Sequence, residues 1–284
     1  MKKVSIFMSM ISITSTLTAC STNFPVLTPT TDTNPIVTIS LPTEDQVEPT
    51  IVPFPGIPVS FEYLHFVLPP TLASGGRGSK VPRSQGADIP PWEISPEHIQ
   101  FDLDDYILQN IWLQPQIFVY PAEEYAMLQP TIAENITHLQ EVLDNPNKPL
   151  TNDVLPTYLV NATQLFTSNI KIIPFRTGLG IRLLTQIAQD FVAINNHDLI
   201  YVFSGLTNDG KYYVVAILPI NAPGLPENYQ SGEFPDPNDT SNAENALQEY
   251  YSNITLLLNN TQADSFTPNI NLLDTLINSI NIVE

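Results

Sequence analysis

Between residues 21 and 58 the chain carries eight prolines, at positions 25, 29, 35, 42, 49, 53, 55 and 58. Each locks its own φ at about −65°, removes a backbone donor and pushes the residue before it out of helical geometry. A segment punctuated this often can supply neither a helix nor the middle of a sheet, so a packed core has to come from the rest of the chain. The same stretch holds eight threonines and four charges, all acidic. Proline-rich chain extends at about 3.1 Å per residue, so these residues could reach on the order of 100 Å. We read 20–58 as a tether and 59–284 as a single globular domain.

What precedes the tether is a short basic start, Lys2 and Lys3, then the apolar-leaning run Val4–Thr16. Spanning a bilayer takes about 20 residues, so this run is too short. It has the length of a signal-peptide core instead. Leu17-Thr18-Ala19-Cys20 follows, and the arrangement resembles the lipobox of bacterial lipoproteins: an aliphatic residue, two small ones, then cysteine. The resemblance covers residues 1–20. It implies export, removal of a signal peptide at 1–19, lipidation of the Cys20 sulfur, and acylation of the new amino terminus by a fatty acid such as palmitate. Two or more acyl chains anchor firmly, at about 0.8 kcal/mol per buried CH₂. The expected partner is therefore a membrane, reached through the lipid, with the domain outside the cytoplasm. Cys20 is the only cysteine, so no internal disulfide or thiolate zinc cage can form.

Ten lysines and arginines stand against 29 acidic residues, a formal charge of −19. Nucleic-acid binding is not expected of such a chain, because neutralising phosphates needs clustered cations. The 43% hydrophobic share is ordinary for a folded domain.

From Val59 onward the pattern becomes globular. Phe61–Leu68 reads as one strand, and 71–91 as a loop rich in Gly, Ser and Pro. His98–Leu108 and Ile111–Tyr120 read as strands, then Ala122–Leu128 and Thr131–Asp144 as helices, the latter with Ile132, Ile136, Leu139 and Leu143 on one face. Two hairpins follow, Asn169–Phe175 with Leu179–Ala188 and Leu199–Leu206 with Lys211–Pro219; Asp209-Gly210 supplies the positive φ of the second turn. Tyr212–Leu218 is apolar at both phases, which predicts a central strand. Ser241 and Glu244 suggest a capping box for a helix at 241–258, and Thr267-Pro268 opens a last helix. Antiparallel hairpins covered by helices make an α+β domain. In element order it is similar to the Mog1/PsbP-like sandwich.

Gly205–Lys211 matches most of a P-loop, but Tyr212 stands where the Mg²⁺-binding hydroxyl belongs and a strand follows instead of a helix. Ser168-Asn-Ile-Lys171 fits S-x-x-K, yet in a strand its Ser and Lys should point to opposite faces. Asp102, Asp104 and Asp105, or Asp236, Asn238 and Asp239, offer oxygens without the loop Gly of an EF-hand. No metal or cofactor is expected. Gly75, Gly76, Arg77, Gly78, Lys80 and Arg83 form a basic, glycine-rich cluster suited to an anion nest or partner contact. His197, in Asn195-Asn196-His197-Asp198, is a further candidate contact, although a turn in which Asn and Asp bond their own backbone is the favoured reading of the tetrapeptide. The expected function is a binding or interaction module for a small molecule, glycan or protein. An extracytoplasmic hydrolase with an acidic site not locatable from sequence, or a structural envelope component, is the alternative. Replacing Cys20→Ser, or treating cells with globomycin, should move the protein from the membrane to a soluble or precursor form. Unchanged fractionation would refute lipidation.

Overall fold

The computed structural model describes residues 55–146, 161–235 and 243–283. The expected signal segment, Cys20, the expected tether through residue 54, Ser241 and the group Asp236, Asn238 and Asp239 lie outside the described residues. The chain divides into two units, Met1–Ile51 and Val52–Glu284, and every described residue belongs to the second. Within it run β1 (Ile57–Phe61), β2 (Leu64–Leu68), β3 (Gly75–Val81), β4 (His98–Asp104), β5 (Gln116–Pro121), α1 (Ala122–Leu128) and α2 (Pro130–Asp144). Then come β6 (Thr163–Gln164), β7 (Ser168–Phe175), β8 (Gly178–Thr185), β9 (Ile187–Ala188), β10 (Ile200–Thr207), β11 (Tyr212–Pro219), α3 (Ala243–Asn260), α4 (Ile270–Ser279) and β12 (Asn281–Ile282). Among the described residues no helix is long and apolar enough to cross a membrane.

Seven strands form one antiparallel sheet in the order β3-β4-β5-β11-β10-β8-β7; β1, β2 and β12 form a smaller sheet, and β6 pairs with β9. This is the expected α+β architecture. The β10–β11 hairpin lies at its centre because almost every residue of both strands is buried. Side chains alternate across the pleat. Tyr201, Phe203, Val214, Ala216 and Leu218 therefore join one core, against the small sheet and α4. Ile200, Val202, Tyr213, Val215 and Ile217 join the other, against α1 and α2. Pro130 opens α2 where its missing N–H costs nothing, and Ile132, Leu139 and Val142 face the sheet. In α4, Asn269 caps the N-terminus by accepting from the Asn271 amide at 2.8 Å. Leu273, Leu276, Ile277 and Ile280 are completely buried, each contributing about 1.5–3 kcal/mol.

Several expectations need correction. Phe61–Leu68 is a turn and parts of two strands: Glu62 takes φ 50° and folds β2 back on β1. β1 also takes in Ile57 and Pro58, which were expected to belong to the tether; Pro58 is tolerated because β1 is an outer strand of its sheet. The largest difference is β3, where a loop was expected. A Cβ on Gly78 would lie 2.4 Å from the Phe61 Cβ, and one on Gly76 3.3 Å from Val59. These glycines therefore reflect close sheet-on-sheet packing, not turn geometry. β6, β9 and β12, of two residues each, are too short to show a period-2 pattern.

One ion pair is buried in the larger core. Arg182 of β8 and Asp274 of α4 approach to 3.3 Å, with side chains 10% and 9% exposed. The Tyr201 hydroxyl donates to the same carboxylate at 3.0 Å, Lys171 approaches its other oxygen at 3.6 Å, and an Arg182 Nη1 donates to the Asn169 carbonyl. Compared with the aliphatic burial of α4 this pair adds little net stability, but an unmatched half is expensive. Asp274→Ala should cost about 3–5 kcal/mol in urea unfolding, while Arg182→Met combined with Asp274→Leu should recover most of it. A single-variant loss below about 1 kcal/mol would show that the guanidinium finds another partner.

Candidate ligand-binding groove

Both tryptophans of the chain, Trp92 and Trp112, are exposed, at 39% and 46%, and both line one open depression of about 550 Å³. Trp92 comes from the single-turn helix Pro91–Glu93 in the β3–β4 connection. Trp112 and Leu113 come from the β4–β5 connection, Gln189, Asp190 and Val192 from the segment after β9, Asp198 from the turn before β10, and Tyr229 from the loop after β11. The antiparallel pairings place the end of β4, the start of β5, the end of β11, the start of β10 and the end of β8 at one end of the large sheet. The connections carrying Trp112, Asp198 and Tyr229 meet at that end, whereas Val81 pairs with His98, so the β3–β4 connection leaves the sheet at its other end and reaches back to bring Trp92 to the groove; binding residues usually sit on such connections over a rigid scaffold.

The tetrapeptide Asn195–Asp198 holds these connections together. Asn195, fully buried, accepts from the amides of His197 and Asp198 at 3.0 and 3.2 Å, an Asx turn as one sequence reading has it. Its own amide and side chain reach back to Gln186 Oε1 at 3.0 and 3.4 Å. The Asn196 side chain accepts from the Ala222 amide and donates to the Ala222 and Leu225 carbonyls, fixing the loop that carries Tyr229. The Trp112 amide donates to the His197 carbonyl at 3.2 Å. His197 Nδ1 lies 2.5 Å from Asp198 Oδ1, whose other oxygen accepts from Asn195 at 2.9 Å. His197 therefore stands beside the groove, next to a carboxylate that lines it.

The glycine-rich candidates lie elsewhere and are not brought to this site. Gly75, Gly76, Arg77, Gly78 and Lys80 are residues of β3, paired along β4, so their amides form a ladder and not a nest. Arg77 meets Asp104 at 2.8 Å, Lys80 meets Glu97 at 3.0 Å, and Arg83 meets Glu124 at 3.0 Å. Each of these cations faces a carboxylate on the surface. Asp102 accepts from Gln100 and Gln116, and Asp105 from Ser74. The Ser168–Lys171 expectation is also corrected: β7 advances three residues while β8 advances two, since Ser168 pairs with Leu184 and Lys171 with Arg182. That bulge restores the phase and puts Ser168 and Lys171 on the same face. Gly205–Lys211 spans the β10–β11 hairpin turn, with Gly210 at φ 70°.

Two other cavities differ in kind. An open seam of about 930 Å³ between α3 and β7 is lined by Ser168, Tyr251 and Leu256 among others; it follows from α3 burying only Leu258. A smaller cavity of about 120 Å³ lies behind Trp92, against Tyr120, Tyr125, Ser204 and Tyr213. The Tyr213 hydroxyl donates to Ser204 at 3.4 Å, and burial pushes its pKa up to about 12.

His98 packs against Tyr120 with ring centroids 4.4 Å apart and the ring planes tilted by 36°. Its Nδ1 lies 2.8 Å from the Pro96 carbonyl, which can only accept, so Nδ1 carries the hydrogen. Burial holds the imidazole below its ordinary pKa of 6.5. The unfolded chain therefore binds this proton first, and stability falls as pH drops below about 6.5. Urea midpoints from about pH 8 to about pH 5 should fall more steeply for the wild type than for His98→Gln. Equal slopes would contradict this assignment.

Comparison with family models, with curated proteins and with solved structures finds no match to this chain.

Proposed function

We propose that this protein is a lipid-anchored extracytoplasmic binding module, attached through Cys20, whose ligand surface is the groove between Trp92, Trp112 and Tyr229. The observation that carries this reading is the placement of both indoles, each partly solvent-exposed, around a single depression. Aromatic side chains grouped around one depression mark a surface that gains free energy when a ligand or partner covers it. At about 550 Å³ the groove lies within the range of small-molecule sites. Its hydrogen-bonding rim rests on the buried Gln186–Asn195 contacts, a rigid support that binding favours because little ordering remains to be done. The basic start, the short apolar run and Leu17-Thr18-Ala19-Cys20 support the anchor.

The two indoles make the groove its own reporter. Saccharides, nucleosides, amino acids and quaternary ammonium salts, titrated singly into the full chain, should include a class that shifts tryptophan emission saturably. Trp112→Ala should weaken that binding about tenfold or more with the fold retained by circular dichroism. If no class shifts the emission, or binding persists undiminished in both Trp92→Ala and Trp112→Ala, the groove is not the binding surface.

A further inference from the structure

Which chemistry would fill the groove can be argued from what lines it. Its charged residues are Asp190 and Asp198, with no lysine or arginine among the described lining residues. The surrounding protein is strongly acidic as well. Anionic ligands would enter against that field. A neutral or a cationic ligand remains.

Two features separate those. An ammonium group is held by several aromatic faces enclosing one point, backed by acceptors. Here neither Trp92, Trp112 nor Tyr229 has a ring contact with another aromatic residue among the described residues. No pair of rings therefore closes on a single point, and the depression that they line is open. The rim also mixes Asn161 and Gln189, whose amides both donate and accept, with the acceptor-only carboxylates. Acceptors alone would serve an ammonium, whereas hydroxyl groups use both.

From this we infer that the groove binds a neutral oligosaccharide, the flat C–H faces of successive pyranose rings lying on the aromatic platforms and their hydroxyls bonding to the Asn161, Gln189 and Asp190 side chains. The inference rests on the groove being the binding surface. A volume of about 550 Å³ has room for on the order of two or three rings. Such a ligand is compatible with the acidic surface because it carries no charge to repel, and its affinity should be nearly independent of ionic strength.

The test is to titrate linear neutral oligosaccharides, a panel of gluco-, manno-, xylo- and chito-oligomers, into the full chain, following tryptophan emission and confirming by calorimetry. Tetramethylammonium and spermidine serve as cationic counterparts. At least one oligosaccharide should bind saturably, more tightly than its monosaccharide, and change less than about twofold between low and physiological salt. Trp112→Ala should reduce that affinity about tenfold, and Asp190→Asn, an exposed position that leaves the turn intact, only a few-fold. Binding of the cations but of no sugar, with loss on Asp190→Asn and in salt, would overturn the inference while leaving the groove as the binding surface. No response to either set would overturn it too. A sugar whose affinity is unchanged in both Trp92→Ala and Trp112→Ala would overturn it and the groove assignment together.

Discussion

Two adjacent strands that are apolar on both faces force the architecture of this domain. Once β10 and β11 pair, neither side of their hairpin can face water. Leu199, Tyr201, Phe203, Ala216 and Leu218 require cover on one side, and Val202, Val215 and Ile217 on the other. The β1–β2–β12 sheet and α4 supply the first cover, α1 and α2 the second. At roughly 25 cal/mol per Å² of apolar surface removed from water, this double burial outweighs any single polar contact in the domain. The Arg182–Asp274 pair fits that hierarchy: it ties α4 to one side chain of the large sheet, while aliphatic burial provides the binding energy of the helix.

The same sandwich explains the placement of the groove. Strand faces are occupied by the two covers, so the large sheet has only its ends and edges to offer. One end gathers the connections around β4, β5, β8, β10 and β11, and there the polar tetrapeptide Asn195–Asp198 replaces apolar packing as the organising element. Asparagine suits this role because its side chain can imitate a backbone turn with one oxygen while its amide donates elsewhere. Buried and satisfied, Asn195 and Gln186 lock the connections that carry Trp112 and Asp198, and Asn196 does the same for the loop bearing Tyr229. The small cavity behind Trp92, with Tyr213 and Ser204 at its back, lies on the helix-covered face of the sheet.

Charge is distributed with similar economy. Arg77, Lys80, Arg83, Lys171, Arg182 and Lys211 each lie within ion-pair distance of a carboxylate. In a chain with 29 acidic side chains, a lysine or arginine is seldom far from one. A local cluster of basic residues therefore meets carboxylates as its first neighbours. Most of these pairs are exposed and contribute little to stability, but they leave the acidic excess as the surface character seen by a ligand.

Much of the fold was legible in the residues. The double-phase apolar run Tyr212–Leu218 identified a central strand, Asp209-Gly210 a hairpin, Pro130 a helix start, and the spacing of Leu273, Leu276 and Ile277 a buried helix, because each signal is local and repeats with the period of its element. The resemblance of residues 1–20 to a lipobox is legible in the same way, from chain order alone. Of the groove, only His197 and its tetrapeptide were visible in advance, as a polar turn. The tertiary structure decided the rest. Glycines 75, 76 and 78 became a strand because the Phe61 and Val59 side chains pack where a Cβ would stand, a contact across the fold that no window of sequence contains. Trp112 and Tyr229 converge because antiparallel pairing returns distant connections to the same end of a sheet, and the long β3–β4 connection reaches back from the other end to bring Trp92 to them. Sequence encodes the periodicity that makes strands and helices; which exposed side chains become neighbours depends on strand order and register, and those are set only when both faces of the central hairpin are covered.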